Sequence, residues 1–174
     1  MNYLYVYRNN YQDENSLFQM ISDLHSRTDS VYGAGLGINY LSVDSIFKGF
    51  KMIMRQSFKY SVVKYHLLEL RMQEPMAVET AIELCRRFSY LLFYKLGFAH
   101  YVTIIKEGGA LRCIYLVAPI SIKSWQGFSN CNRDYIWLLN WLKENAGADW
   151  EFGSGAVLFK SEEPYLDNYK DIVL

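Results

Sequence analysis

The spacing of apolar residues predicts a strand and two helices in the first third of the chain. Residues 2–8 alternate tyrosines with aliphatic residues, which is typical of a strand. A helix is expected next, because apolar residues recur at helical spacing from Leu17 to Leu24 after several capping residues at 13–16. Residues 42–58 predict a second, strongly amphipathic helix. Its apolar stripe consists of Val43, Ile46, Phe47, Phe50, Ile53 and Met54.

The middle of the chain predicts a strand, a long helix and a hairpin. Residues 61–71 are rich in β-branched and apolar side chains, as in a strand. Pro75 opens the following helix and Gly97 closes it, and these are the ends at which each residue is favoured. Two apolar, β-rich segments follow at 99–106 and 111–121. They are joined by Glu-Gly-Gly-Ala, which is a hairpin turn signal.

The last third of the chain predicts one more helix and a final strand. The helix covers about 132–145 and ends near Gly147, and residues 156–159 are the candidate strand. The predicted order is β, α, a short β, α, β, α, β-hairpin, α, β. Because helices and strands alternate without a regular repeat, this order favours an α+β fold. We expect a largely antiparallel sheet of about five strands with helices packed on it, in one domain over 1–160 followed by an acidic tail over 161–174.

Three glycines stand close together between the first two predicted helices. Gly33, Gly35 and Gly37 form a G-x-G-x-G pattern, whereas a dinucleotide-binding loop needs G-x-G-x-x-G between a strand and a helix. This spacing favours a flexible turn. The chain also contains no P-loop, G-x-S-x-G or HExxH motif and no CxxC pair, so no cofactor is expected.

Composition places the chain among globular proteins. Its 174 residues are 51% apolar and 21% charged, which is enough for one domain with a buried core. No apolar segment approaches the roughly 18 residues of a membrane span. Cys85, Cys113 and Cys131 lack metal-binding spacing, and an odd number of cysteines fits free thiols in a reducing compartment. The expectation is a cytoplasmic protein with no membrane partner.

Charge is distributed unevenly although the formal net charge is zero. Residues 45–72 contain six basic side chains and one acidic one, whereas residues 144–174 contain seven acidic and two basic ones. Four of the basic residues share the face of the second helix opposite its apolar stripe. These residues, the basic stripe, are Lys48, Lys51, Arg55 and Lys59. A basic stripe is a candidate surface for single-stranded DNA, although many such stripes are only solvated helix faces.

Four segments within residues 36–150 are similar to parts of one known family. Residues 64–70 (Lys-Tyr-His-Leu-Leu-Glu-Leu) and 77–96 resemble its strand and first long helix. Residues 117–128 and the helix after them look like its strand–loop–helix unit, and residues 37–41 (Gly-Ile-Asn-Tyr-Leu) resemble its N-terminal segment. The family is that of the relaxase/mobilisation nucleases, which act in plasmid and mobile-element transfer in bacteria.

The resemblance implies a tyrosine that attacks a DNA phosphodiester and a divalent metal held by three histidines. Tyr40 stands at the position of this nucleophile. The family carries two of the histidines as His–hydrophobe–His on a strand, where alternation puts both on one face. Here Arg112 and Ile114 occupy those positions, or Cys113 and Tyr115 if the register shifts by one. The histidine motif is therefore lost, which predicts that no catalytic metal is bound.

The chain has only three histidines, and no two of them lie at ligand spacing on one element. They are His25, His66 and His100. His66 alternates with Leu68 and Leu70, which favours a hydrogen-bonded core histidine. His100 follows the helix-ending glycine and is either a surface residue or a remnant of the site.

Three hypotheses on function follow. The leading one is a relaxase-like domain without nuclease activity that keeps a DNA-binding or mobile-element accessory role; the basic stripe and the family layout favour it. The alternative is a protein-interaction or homo-oligomeric scaffold module, which zero net charge favours. Trp137 and Trp141 share one helix face and are expected at the edge of the core or outside it. A third hypothesis is an active tyrosine nickase whose metal ligands lie elsewhere.

Overall fold

The computed structural model describes seven segments of the chain. They are residues 1–7, 14–56, 65–73, 76–127, 132–147, 149–155 and 171–173. The described helices are α1 Glu14–His25, α2 Val43–Arg55, α3 Val78–Tyr90 and α4 Asn132–Ala146, with a π-helical turn at Leu91–Lys95 that continues α3. The strands are β1 Asn2–Tyr7, β2 Ser30–Leu36, β3 His66–Gln73, β4 His100–Glu107, β5 Ala110–Val117, β6 Trp150–Gly155 and β7 Asp171–Val173.

The strands form one mixed sheet in the order β2-β4-β5-β3-β1-β6-β7. All neighbouring strands are antiparallel except β1 and β6, which are parallel. The predicted α+β class is confirmed, and β4 and β5 form the predicted hairpin beside β3. The described sheet has six strands of six to eight residues and a three-residue seventh, rather than about five strands.

Helices cover both faces of this sheet. Side chains alternate between the faces along each strand, so the central strands supply apolar residues to two separate cores. One core packs β1, β3, β4 and β5 against α1 and α2, and the other packs the opposite face against α3 and α4. Because both faces are closed, the central strands are almost entirely buried.

The glycine-rich segment belongs to β2, the short strand of the predicted order between the first two helices, and is not the flexible turn that the glycine spacing favours. In β2, Gly33 pairs with Thr103 and Gly35 with Tyr101 of β4. Hydrogen bonding to β4 overrides the local preference of glycine for turns, as is common for strands whose formation depends on a partner. The turn is confined to Gly37, whose φ of +72° is one that glycine adopts without strain.

Several sequence predictions fall outside the described residues. They concern Lys59, Cys131, the candidate strand at 156–159 and the tail up to residue 170. The strand that follows α4 is β6, directly before the candidate strand. At the end of the tail, residues 171–173 form β7 against β6.

The end of α3 positions the loop that follows β5. The helix widens into the π-helical turn and ends at Gly97, which has a φ of +83°. Ser121 then donates a hydrogen bond from its hydroxyl to the Leu96 carbonyl (2.8 Å), and the Ile122 amide donates to the Gly97 carbonyl (2.8 Å). The loop over residues 121–127 is therefore fixed to the end of this helix.

Substituting Gly97 tests this attachment. Gly97→Ala forces an alanine to a positive φ and places its Cβ 2.4 Å from the Ser121 hydroxyl. We expect the free energy of unfolding to fall by about 2–4 kcal/mol, from backbone strain together with steric overlap. Gly108→Ala is the matched control, because Gly108 also has a positive φ but open space around it. Urea denaturation should show a loss of only about 1 kcal/mol for the control. Equal losses in the two variants would contradict the account.

Candidate functional site

The positions at which the resemblance places metal ligands lie on β5, in the middle of the sheet. Arg112 and Ile114 point towards α1 and α2, whereas Cys113 and Tyr115 point towards α3 and α4. All four side chains are buried. These residues line no open cleft among the described residues, and the two registers considered for the motif lie on opposite faces.

Arg112 occupies the first of these positions with a network of ion pairs. Its Nε and Nη2 atoms donate to the two carboxylate oxygens of Glu69 on β3, at 2.7 and 2.8 Å. Its Nη1 atom donates to Glu107 at 2.6 Å. Glu69 also accepts hydrogen bonds from Arg71, at 2.9 Å, and from the hydroxyl of Tyr7 on β1. The network, which we call the Glu69 network, therefore joins four adjacent strands, β4, β5, β3 and β1.

The charges of the Glu69 network are fixed at neutral pH. Burial alone would raise the pKa of Glu69, but the hydrogen bonds and charge of Arg112 hold it below its usual value. Burial and the adjacent Glu69 carboxylate raise the pKa of Tyr7, so its phenol keeps its proton. A guanidinium has no lone pair to offer a metal. The group at this position is therefore a paired cation and not a metal ligand.

The opposite face offers no better ligands. Tyr115 donates a hydrogen bond to the Cys85 carbonyl at 3.0 Å, and burial raises its pKa. Burial and the neighbouring Cys85 thiol raise the pKa of Cys113, so the metal-binding thiolate is disfavoured. Among the described residues, no group of three or more His, Cys, Asp or Glu side chains is placed to hold a metal ion.

Two of the histidines are removed from solvent to different degrees. His66 is partly buried at the start of β3, and burial lowers its pKa to about 4. His100 is fully buried, which excludes the first of its two alternatives, a surface residue. Its Nδ1 atom lies 3.0 Å from the Phe98 carbonyl, and burial lowers its pKa to about 4.

Tyr40 does not lie beside Arg112, the first position at which the resemblance places a metal ligand. It follows β2, with its Cβ next to Gly35 and near the start of β4, and it is 41% exposed. The start of β4 pairs with Val117, five residues along β5 from Arg112. That separation corresponds to about 17 Å along the strand. The described geometry therefore separates the candidate nucleophile from Arg112, the first of the candidate ligand positions.

The basic stripe on α2 is only partly a free cationic surface. Lys48 and Arg55 are exposed. Lys51 forms an ion pair with Glu14 of α1 (Nζ to Oε2 2.9 Å) and lies 5.3 Å from the ring centroid of Phe47. Its charge is therefore engaged within the protein.

A groove that combines apolar and polar groups lies between α4 and the end of α3. It has a volume of about 450 Å³. Its lining includes Leu96, Phe98, Leu138, Trp137, Asp134 and Gln126. Trp137 is 49% exposed, whereas Trp141 packs on Phe88 with ring centroids 5.9 Å apart. The sequence had singled out Trp137, but nothing in it indicated the groove.

Trp125 lies between two residues that line this groove, and its backbone is in a strained conformation. It is the only non-glycine residue with a positive φ (+55°) among the described residues. Its neighbours Ser124 and Gln126 line the groove, and its own side chain is 50% exposed. Its amide donates a hydrogen bond to the Ser121 carbonyl at 2.8 Å, so the attachment of the loop to Gly97 holds this conformation. A bulky residue in the left-handed region costs about 1–3 kcal/mol, and such strain is concentrated at functional sites.

Comparison with known proteins found no family model, no curated protein and no solved structure that matches the chain. None of the described helices is both long and apolar enough to cross a membrane.

The Glu69 network makes a testable contribution to stability. We expect Glu69→Gln to lower the free energy of unfolding by about 3–5 kcal/mol at pH 7, because Arg112 loses its buried counter-charge. Glu83→Gln is the control, since it removes an exposed ion pair with Arg87 and should cost less than about 1 kcal/mol. Chemical denaturation measures both. Equal effects would contradict a stabilising role for the network.

The same variant predicts a pH dependence. Because folding lowers the pKa of Glu69, its contribution is complete above the unfolded value of about 4.5 and is lost as the pH falls through the lower folded value. The difference in stability between wild type and Glu69→Gln should therefore be constant from pH 6 to 7 and should narrow below pH about 4.5. A difference that widens on acidification would contradict this sign.

Proposed function

We propose that the chain is a relaxase-like domain without nuclease activity that serves as a protein-interaction module. The partner is a polypeptide segment that binds in the groove beside Trp125 and Trp137. Two features support the loss of nuclease chemistry: a paired guanidinium at a ligand position, and the separation of Tyr40 from that position. The order of elements and the hairpin beside β3 agree with the layout expected from the resemblance.

The strained, half-exposed Trp125 carries this proposal. A residue with a positive φ in a solvent-exposed loop is normally glycine, asparagine or aspartate. Tryptophan gains little from core packing here, because half of its surface is exposed. A binding role accounts for a tryptophan at this position, since tryptophan is among the residues that contribute most to protein interfaces.

The chemistry of the groove suits a peptide better than a nucleic acid. Leu96, Phe98 and Leu138 provide an apolar surface, and the Trp137 indole adds a large flat one. Asp134 is the charged residue of the described lining, so the groove presents negative rather than positive charge. A polypeptide with an apolar anchoring side chain can use these groups, whereas a phosphate backbone would be repelled.

The proposal predicts that Trp125 is needed for binding and not for folding. Peptides selected from a displayed library against the wild type should bind Trp125→Gly and Trp137→Ala at least about tenfold more weakly, a loss of about 1.4 kcal/mol. Trp125→Gly should keep the free energy of unfolding within about 1 kcal/mol of wild type, because glycine relieves the positive φ. Calorimetry gives the affinities and urea denaturation the stabilities.

Met52→Ala on α2 is the control, because Met52 is exposed and lies on the helix layer of the opposite face. It should bind the selected peptides like wild type. The proposal would be wrong if no peptide were enriched over the Trp125→Gly/Trp137→Ala double variant. It would also be wrong if Trp125→Gly were strongly destabilised, since Trp125 would then be a structural residue.

DNA binding through α2 is the second candidate, favoured by the exposure of Lys48 and Arg55. If these residues contact phosphates, the affinity of the wild type for single-stranded DNA should fall steeply as the salt concentration rises. The double variant Lys48→Glu/Arg55→Glu should bind all DNA sequences more weakly and to the same extent. The control variant Arg133→Glu/Lys143→Glu on α4 makes the same change of charge at exposed positions and should leave affinity unchanged.

Fluorescence anisotropy with labelled oligonucleotides at several salt concentrations measures the affinity of each variant for DNA. Absence of DNA binding at low salt would remove the second candidate.

The nickase hypothesis is tested separately, by a plasmid-nicking assay with Mn²⁺. Cleavage that is abolished in Tyr40→Phe would overturn the loss of nuclease activity in the main proposal.

A further inference from the structure

Strand β2 forms one edge of the sheet and lacks most of the features that protect such edges. Its sequence, Ser-Val-Tyr-Gly-Ala-Gly-Leu, contains no charged residue and no proline. None of its seven residues is buried, and Val31 is 42% exposed. A register shift between Ser30 and Tyr32 interrupts one end, but the pairing from Tyr32 to Leu36 is regular. Soluble proteins usually guard an exposed edge with lysine, proline or a covering element, because its free backbone groups can pair with another strand.

The register shows which backbone groups of β2 face outwards. The β4–β5 hairpin has a two-residue loop, Gly108–Gly109, closed by Glu107 and Ala110. The closing residues of such a hairpin are hydrogen-bonded to each other, so odd-numbered β4 residues bond to β5 and even-numbered ones to β2. The Lys106 amide, which donates to the Asp29 carbonyl at 3.2 Å, agrees with this assignment.

Gly33 and Gly35 consequently present their amide and carbonyl groups at the free edge. They pair with the odd-numbered Thr103 and Tyr101, whereas Ala34 and Leu36 pair with Val102 and His100 and bond inwards. Gly33 and Gly35 add no side chain of their own at the centre of this edge. The Tyr40 Cβ lies next to Gly35, whereas the space around Gly33 is open. An approaching strand can therefore reach hydrogen-bonding distance at Gly33 without displacing side chains.

We propose that β2 pairs antiparallel with β2 of a second copy of this chain, with Gly33 opposite Gly33 of that copy. This register places a large residue opposite a small one at each neighbouring position. Tyr32 faces Ala34 of the second copy, and the exposed Val31 lies beside its Gly35. Because β2 carries no charge, the two strands approach without repulsion. Self-complementarity of this kind is what an isologous, two-fold interface requires.

The proposed pairing makes one continuous sheet across two protomers. A single strand pair buries less surface than the roughly 1,200 Å² of standard stable interfaces, so the dimer is expected to dissociate on dilution. The interface is separate from the groove at Trp125. The dimer and the peptide-binding function can therefore fail independently.

Sedimentation velocity of the full chain from micromolar to millimolar concentration tests the dimer. We expect a monomer–dimer equilibrium in the wild type and at least about a tenfold larger dissociation constant in Val31→Lys and in Gly33→Pro. Proline at Gly33 removes an outward amide and leaves the hydrogen bonds to β4 in place. Val31→Thr and Met52→Lys are the controls. The first keeps an uncharged β-branched residue, and the second adds a lysine away from the edge; both should dimerise like wild type.

Amide hydrogen exchange gives a residue-specific readout. In dilute protein the amides of Ala34 and Leu36 should be protected, whereas those of Gly33 and Gly35 should exchange rapidly. In concentrated protein Gly33 and Gly35 should become protected as well. The proposal is overturned if the wild type stays monomeric throughout, or if the dimer forms equally in Val31→Lys and Gly33→Pro variants that have the wild-type circular dichroism spectrum. Protection of Gly33 only by an added extended peptide would assign the edge to a different partner and also overturn it.

Discussion

The buried ion pair between Glu69 and Arg112 is the interaction on which the centre of the structure depends. A carboxylate without solvent is tolerated only when its charge is matched and its oxygens are hydrogen-bonded. Arg112 meets both needs from the adjacent strand, and Tyr7 and Arg71 complete the set. A shift of β3 or β5 by one residue would move one partner to the opposite face of the sheet. The pair therefore specifies the register of β3 against β5.

Because helices cover both faces of the sheet, the candidate binding functions lie at its periphery. With α1 and α2 over one face and α3 and α4 over the other, the central strands have no surface to offer a ligand. The exposed features are the groove beside Trp125, the basic part of α2 and the edge strand β2. Of these, the groove is the one at which the fold maintains backbone strain, and the strain depends on Gly97 and Ser121 holding the loop.

Local signals in the sequence were sufficient to predict most helices and strands, but not the groove or the Glu69 network. The hairpin of β4 and β5 follows from its two glycines, and α3 follows from its apolar periodicity and from Gly97. The short strand between α1 and α2 was predicted, but its glycines were interpreted as a turn, because their strand conformation depends on pairing with β4, about 70 residues away. Glu69 and Arg112 are 43 residues apart, and no local pattern indicates that they meet. The conformation of Trp125 likewise depends on a distant helix end.

The rate at which the Arg112 Nε–H exchanges with water tests most directly whether the centre of the sheet is closed to solvent and metal ions. The Nε–H of a buried, doubly paired guanidinium exchanges slowly with water and can be observed by ¹H–¹⁵N NMR. The account predicts a sharp Arg112 Nε–H signal at neutral pH that disappears in Glu69→Gln and is unaffected when Mn²⁺ is added. Rapid exchange of this proton in the wild type, or its selective broadening by substoichiometric Mn²⁺ together with signals of Tyr7 and Glu69, would show an open, metal-binding centre and contradict the account.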